Sequence, residues 1–241
     1  MSPGASLFDP SDLDYLGYAS QPDVVTSLEY ERILSASGPT TGKLVRPSNG
    51  EQPKKIAWIQ CIGSRGLQKG AGAYCSSACC MFALKEAIVT KERFQEDIET
   101  TIFFMDMRTF GKDYELYFNR ARDEFGVRFI RSRPHSVLQP EGSQDLTLSY
   151  TTEDSTKQIS EQFDMIVLAT GFNIDKETAA LAEKLGIELN EDRFPVTEPF
   201  NPVATTKPGI YVAGTFESPK DIPETMVQAS AAACMAARDT Q

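Results

Sequence analysis

The sequence predicts an α/β protein built on a doubly wound parallel sheet. Short, almost uninterrupted apolar runs, typical of strands covered on both faces, lie at 56–59, 101–105 and 165–169. Segments with helical periodicity follow the first two runs, at 79–94 and 114–125. Because strands that alternate with helices build parallel sheets, this order indicates a nucleotide-binding-like domain.

Composition narrows the class of protein. The 241 residues are 41% hydrophobic, enough for one sizeable core or two modest ones, and carry a net charge of −10. That charge speaks against nucleic acid as a partner. No apolar run reaches the roughly 18 residues of a membrane span, and residues 1–10 lack the features of a secretory signal. We therefore expect a cytoplasmic protein with no transmembrane segment.

The first part of the chain is predicted to be mostly irregular. Residues 1–20 are rich in Ser, Asp, Gly and Pro, so an extended surface segment is expected there. Thr26 and Glu29 have the spacing of a capping box, which predicts a helix that ends by Gly38-Pro39. A polar linker then leads to Pro53.

The second half predicts a return to the sheet. After a third strand at 127–130, alternating polar segments at 137–163 predict an antiparallel meander. The buried strand at 165–169 ends in Thr170-Gly171. A further apolar strand, 209–214, precedes a helix rich in small residues, whose start Asp221 and Glu224 can cap.

The cysteines are the main chemical signal. Cys61, Cys75, Cys79 and Cys80 lie between a predicted strand and a predicted helix, where nucleotide-binding folds keep the phosphate loop. Four thiolates make up the usual ligand set of a [4Fe–4S] cluster, and adjacent cysteines suit its separate iron corners better than a single zinc ion. Buried structural thiols, a zinc-stabilised non-catalytic interaction module and a dithiol–disulfide oxidoreductase remain alternatives. No catalytic residue is assigned.

Several segments resemble known flavoproteins. Ala169-Thr170-Gly171 and the later Gly-Ile-Tyr-Val-Ala-Gly at 209–214 resemble two motifs of the two-dinucleotide-binding-domain family that includes thioredoxin reductase. The cysteine segments 59–65 and 74–81, with 103–112 and 218–225, resemble the A-type subunit of heterodisulfide reductase. This second likeness extends from about residue 24 to residue 237.

The resemblance implies a division into three segments. Residues 1–53 would be the tail of a first FAD-domain segment and a linker, 54–172 an inserted nicotinamide-domain-like domain carrying the cysteines, and 173–241 a closing FAD-domain segment. The family's Gly-x-Gly-x-x-Gly turn is absent from the sequence, so the chain is expected to be the C-terminal part of the module, with an incomplete FAD site.

The resemblance also implies a function. The expected role is an electron-transfer subunit that passes electrons between FAD and a [4Fe–4S] cluster on Cys61, Cys75, Cys79 and Cys80. Its expected partners are B- and C-type subunits of a heterodisulfide-reductase-like complex and an electron donor, with self-association as a further possibility. The residues expected to contact FAD are Thr170, Gly171, Gly214, Thr215, Ile222, Thr225 and Gln228.

Overall fold

The computed structural model describes residues 1–66, 70–94, 97–153 and 155–239. The strands in these residues are β1 (Ser6–Leu7), β2 (Val24–Thr26), β3 (Lys55–Ile62), β4 (Glu99–Phe104), β5 (Arg128–Arg131), β6 (Val137–Leu138), β7 (Leu146–Thr152), β8 (Ser155–Phe163), β9 (Met165–Thr170), β10 (Phe172–Asn173), β11 (Thr197–Glu198) and β12 (Asn201–Thr205). The α-helices are α1 (Ser27–Leu34), α2 (Cys79–Phe94), α3 (Tyr114–Asp123), α4 (Lys176–Lys184) and α5 (Ile222–Asp239).

The chain divides into two compact units. The sheet unit contains Asp9–Ile62 and Cys79–Thr170. The α5 unit contains Met1–Phe8, Gly63–Ala78 and Gly171–Gln241. The division into FAD-domain and inserted-domain segments at residues 53 and 172 stays a prediction.

The sheet unit is built on a parallel sheet with strand order β2-β9-β3-β4-β5. Strands β3 and β9 of this sheet are mostly apolar because both faces of the sheet are covered. Helices α1, α2 and α3 contribute to a single core cluster on one face, where Trp58, Leu84 and Ile102 are completely buried. This confirms the predicted α/β class with a parallel sheet.

The meander of β6, β7 and β8 supplies a second layer of the same unit. Side chains alternate along a strand, so Phe103 points away from the helices that its neighbour Ile102 contacts. There the Phe103 ring makes edge contacts with the rings of Tyr150 and Phe163 from the meander. The predicted meander at 137–163 is therefore present.

The first helix begins where the sequence predicts. The Glu29 amide donates to Thr26 Oγ1 at 3.3 Å, and the Glu29 carboxylate accepts from the Thr26 amide at 2.7 Å, which completes the capping box. The helix ends at Leu34, earlier than the expected Gly38-Pro39. Strand β2, which ends at the cap residue Thr26, was not predicted; it pairs with β9.

The α5 unit has its own small core around Ile174, Phe194, Val212 and Phe216. Its strands form two-stranded pairs, β1 with β10 and β11 with β12. The expected strand at 209–214 is not a continuous strand: Tyr211 makes an isolated bridge to Ala204 and a 3-10 helix begins at Gly214. Within the described ranges, no helix has the length and apolar character needed to cross a bilayer.

Candidate functional site

Three of the four clustered cysteines belong to the sheet unit and stand at the carboxyl ends of its strands. Cys61 is the second-to-last residue of β3, and Cys79 and Cys80 are the first residues of α2. All three thiols are buried, each residue being 7% exposed. Ligands of open α/β sheets bind at this edge, where the helix amino terminus also favours negative charge.

Backbone groups of the sheet unit contact two of these sulfurs. The Arg108 amide donates to Cys80 Sγ at 3.5 Å, and Cys79 Sγ lies 3.6 Å from the carbonyl oxygen of Thr170, the last residue of β9. An N–H that points at sulfur stabilises the thiolate over the thiol. Cys79 reaches from the start of α2 to the end of the strand that neighbours β3.

Cys75 belongs to the α5 unit. Its sulfur accepts a hydrogen bond from the Ser77 amide at 3.3 Å, and the residue is partly exposed. Ser77 has a positive φ of 64°, and Cys61 one of 62°; non-glycine residues in this left-handed region are uncommon and gather at functional sites. Two such residues mark the cysteine segment as a constrained backbone.

The clustered donors are all thiols, the ligand type of iron–sulfur clusters. None of the five cysteines, all of which lie in the described ranges, forms a disulfide. Among the residues that the structure describes, no three His, Cys, Asp or Glu side chains converge closely enough to hold one metal ion. Each cysteine of a [4Fe–4S] cluster binds a different iron, so its ligands need not converge on one point.

Gly171, expected near the flavin, has a structural reason to be glycine. A Cβ at this position would lie 1.9 Å from Ser64 Oγ and 2.5 Å from Ser76 Oγ. Ser76 Oγ accepts from the Phe172 amide at 2.8 Å and shares a hydrogen bond with Ser64 Oγ at 2.6 Å. This pair links Ser64, Ser76 and Phe172, and any side chain at 171 would displace it.

The flavin residues predicted in the C-terminal segment fall into two groups. Gly214 and Gln228 are brought together, since the Gly214 amide donates to Gln228 Oε1 at 2.7 Å. Thr225 is beside them: a Cβ on Gly214 would lie 3.4 Å from its methyl carbon. Thr215 lies within the 3-10 helix, and Ile222 is 76% exposed at the start of α5.

Two further residues, Glu217 and Lys220, belong to this arrangement and were not predicted. Lys220 Nζ is buried and donates to Glu217 Oε2 at 2.6 Å and to the Gly214 carbonyl at 3.1 Å. Gln228 Nε2 donates to the same Glu217 oxygen at 2.8 Å. Burial acts to raise the pKa of Glu217, but these hydrogen bonds hold it below its usual range. The i, i+3 spacing of Glu217 and Lys220 was the available signal.

Lys220 and Gln228 also line an open apolar groove of about 730 Å³ along α5. Its other walls include Phe200, Val203 and Val227. The amino end of α5 is capped as predicted: the Glu224 amide donates to Asp221 Oδ1 at 2.8 Å, and the Asp221 amide donates back to the Glu224 carboxylate at 3.0 Å. A mostly apolar groove with a few polar groups is typical of a cofactor site.

Comparison with solved structures identifies the fold. The thioredoxin reductases of T. acidophilum and Lactococcus lactis each superpose with a TM-score of 0.59, at 13% and 20% identity. The matches cover 99% and 98% of this chain and 64% of each reductase. The chain therefore has the two-dinucleotide-binding-domain flavoprotein fold.

Sequence comparison defines the family. The family model of the pyridine nucleotide-disulphide oxidoreductases matches residues 70–233, and the chain belongs to that family. The A-type subunit of the H(2):CoB-CoM heterodisulfide,ferredoxin reductase of Methanothermobacter thermautotrophicus is 40% identical over 238 residues, which are 97% of this chain and 35% of the relative. An A-type iron-sulfur subunit of the CoB–CoM heterodisulfide reductase of Methanopyrus kandleri is 39% identical, over 97% of this chain and 36% of that relative.

These relatives confirm the resemblance to the A-type subunit of heterodisulfide reductase. The chain spans about a third of the length of the curated relatives it matches. The comparison therefore concerns one part of a larger protein, and the activity of the whole belongs to the relatives.

Proposed function

We propose that this chain is an electron-transfer module of an oxidoreductase of the heterodisulfide reductase type. In this proposal Cys61, Cys75, Cys79 and Cys80 hold a [4Fe–4S] cluster, and the α5 unit supplies part of an FAD site. A bound cluster supplies one-electron transfer, and a flavin supplies exchange between one- and two-electron chemistry.

The placement of the cysteines carries the proposal. Cys61 and Cys79 stand at the carboxyl ends of a parallel sheet, and the Arg108 amide points at Cys80 Sγ. These features favour anionic sulfur ligands at the edge of the sheet where α/β folds bind cofactors. The name of the Methanopyrus relative, which describes an iron-sulfur protein, supports the same assignment.

The α5 unit supports the flavin part of the proposal. By resemblance, Gly171, Gly214, Thr215, Ile222, Thr225 and Gln228, with Thr170 of the sheet unit, contribute to the site. The hydrogen bonds of Lys220 and Glu217 hold Gln228 and Gly214 in one orientation, beside an apolar groove. B- and C-type subunits and an electron donor are the proposed partners, which agrees with relatives that are named as subunits.

The cluster is tested by metal analysis of the chain purified without oxygen from iron-supplied cells. We expect about four irons and four acid-labile sulfides per chain. Cys79→Ser and Cys61→Ser should lose most of the iron, while Cys234→Ser, which changes the exposed cysteine of α5, should retain it. One zinc per chain would favour the interaction module, and metal-free reactive thiols would favour the dithiol enzyme.

The flavin site is tested separately by titrating FAD and following its fluorescence. We expect quenching by the wild-type chain that Gln228→Leu weakens, because that change removes both hydrogen bonds that Gln228 makes to Gly214 and Glu217. Thr206→Val is the control, since Thr206 Oγ1 accepts from the Glu188 amide and lies outside the groove. Equal quenching by wild type and Gln228→Leu would contradict the assignment.

A further inference from the structure

Gln60 is a buried polar residue to which the proposed electron-transfer function assigns no role. It is 3% exposed, and neither Nε2 nor Oε1 of its amide has a hydrogen-bond partner in the part of the chain that the structure describes. A buried polar group without a partner destabilises the folded state, and such groups are few in native proteins. An amide kept in this state requires an explanation.

The backbone of β3 is irregular at Gln60 and the adjacent Cys61. The register of β3 with β9 shifts between Ile59, which pairs with Leu168, and Ile62, which pairs with Thr170. Gln60 and Cys61 therefore lie opposite a single residue, as in a β-bulge, and the strict alternation of side chains between the two faces is broken. Bulges gather beside active sites because they redirect side chains.

A second unpartnered group lies at the end of the neighbouring strand. Thr170 is 2% exposed, and its hydroxyl has no hydrogen-bond partner among the described residues. Its carbonyl oxygen is the group that lies 3.6 Å from Cys79 Sγ. Two buried donors without partners thus stand next to two proposed cluster ligands, at the carboxyl ends of adjacent strands.

We propose that the Gln60 amide and the Thr170 hydroxyl donate hydrogen bonds to the sulfur atoms of the iron–sulfur centre and raise its reduction potential. This inference rests on the proposed function, and it concerns residues that tune the centre without ligating it. A donor to sulfur offsets the extra negative charge of the reduced state, so each one makes reduction more favourable. The bulge at Cys61 would place the Gln60 amide for this contact.

The test is a redox titration, followed by electron paramagnetic resonance, on the anaerobically purified full chain. Gln60→Met keeps the length of the side chain and removes both N–H donors. We expect its midpoint potential to fall, so that the reduced-to-oxidised ratio at a fixed potential drops about tenfold, or about 59 mV for one electron. Thr170→Val should shift the potential in the same direction.

Thr100→Val is the matched control. Thr100 is also 2% exposed with an unpartnered hydroxyl, but it pairs with Ile56 near the amino end of the same sheet. We expect the same iron content and an unchanged potential in this variant. An equal shift in Thr100→Val would mean that any buried threonine change perturbs the centre, and would overturn the inference.

The other outcomes of the titration also support or overturn the inference. Full iron content with an unchanged potential in Gln60→Met overturns the role of Gln60. If Gln60→Met loses its iron, Thr170→Val decides: a lower potential supports donation to sulfur, and an unchanged one overturns it. A wild-type chain without iron refutes the proposed function itself, and this inference with it, which separates that failure from a failure of Gln60 alone.

Discussion

Helices α2 and α5 are of similar length, but their surroundings differ completely. α2 buries Ala83, Leu84, Ala87 and Ile88 against the sheet, and its first residues are two of the clustered cysteines. α5 has no buried residue among those described and leaves Val227 73% exposed. A helix of such apolar character is normally covered. The helix that begins with the cysteines is thus covered within its unit, whereas the helix that carries the proposed flavin residue Gln228 has none of its described residues buried.

The largest expected effect compares one substitution in each helix. Leu84→Ala removes a fully buried side chain from α2 and should lower the free energy of unfolding by about 2–5 kcal/mol. Val227→Ala removes an exposed side chain from α5 and should change it by less than about 0.5 kcal/mol. Urea unfolding followed by circular dichroism measures both. Equal losses would mean that α5 is packed as tightly as α2.

The second prediction concerns a carboxyl group that α2 buries. Glu86 is 2% exposed and accepts from Trp58 Nε1 at 2.7 Å; the nearby charges are those of Glu31 and Lys85. Burial raises the pKa of Glu86 to about 8 from 4.5, although the Trp58 hydrogen bond lowers it. The folded state therefore keeps a proton that the unfolded chain releases.

Because of this proton, the free energy of unfolding should fall as the pH rises. The stabilisation that Glu86 contributes is complete below about pH 4.5 and is lost as the pH rises to about 8. Relative to Glu86→Gln, the wild type should lose at least about 1.4 kcal/mol across this window, the equivalent of one pKa unit. Urea midpoints at several pH values measure the difference. Glu183→Gln, an exposed change on α4, should follow the wild type, and a parallel profile for Glu86→Gln would contradict the prediction.

The smallest effect on stability is expected at the surface of α5. Met226 and Val227 are 65% and 73% exposed on α5, so we expect them to favour association between copies of the chain. Changing both to Lys should reduce self-association in sedimentation velocity runs at rising concentration, with less than about 0.5 kcal/mol change in stability. Leu181→Lys on α4 is the control. No change in association would show that copies of the chain do not associate through Met226 and Val227.

Features that depend on neighbouring residues in the sequence were predictable. The capping boxes at Thr26 and Asp221 are confirmed because each needs only a residue three positions away. The start of α2 at Cys79 was predicted from the helical periodicity of residues 79–94, which is also a local pattern. Strand β2 was not, because Val24 to Thr26 is too short to show a period and its partner β9 lies far along the chain.

The missed site residues depend on the tertiary structure. Gln60 has a buried amide at a register shift between two strands, and no local pattern encodes such a shift. The contacts of Lys220 depend on the 3-10 helix that presents the Gly214 carbonyl and on Glu217, which Gln228 of the second turn of α5 also contacts. The cysteine spacing predicted a ligand set, but its backbone donors, such as the Arg108 amide, come from distant segments.

Mössbauer spectroscopy of the chain purified without oxygen from cells grown on ⁵⁷Fe tests the central claim most directly, because it identifies the type of iron centre as well as its amount. A [4Fe–4S] centre on Cys61, Cys75, Cys79 and Cys80 predicts a spectrum in which nearly all the iron belongs to one tetranuclear cluster. That signal should disappear in Cys79→Ser and persist in Cys234→Ser. Iron bound only as mononuclear or non-specific species, or a signal that Cys79→Ser leaves unchanged, would contradict the claim.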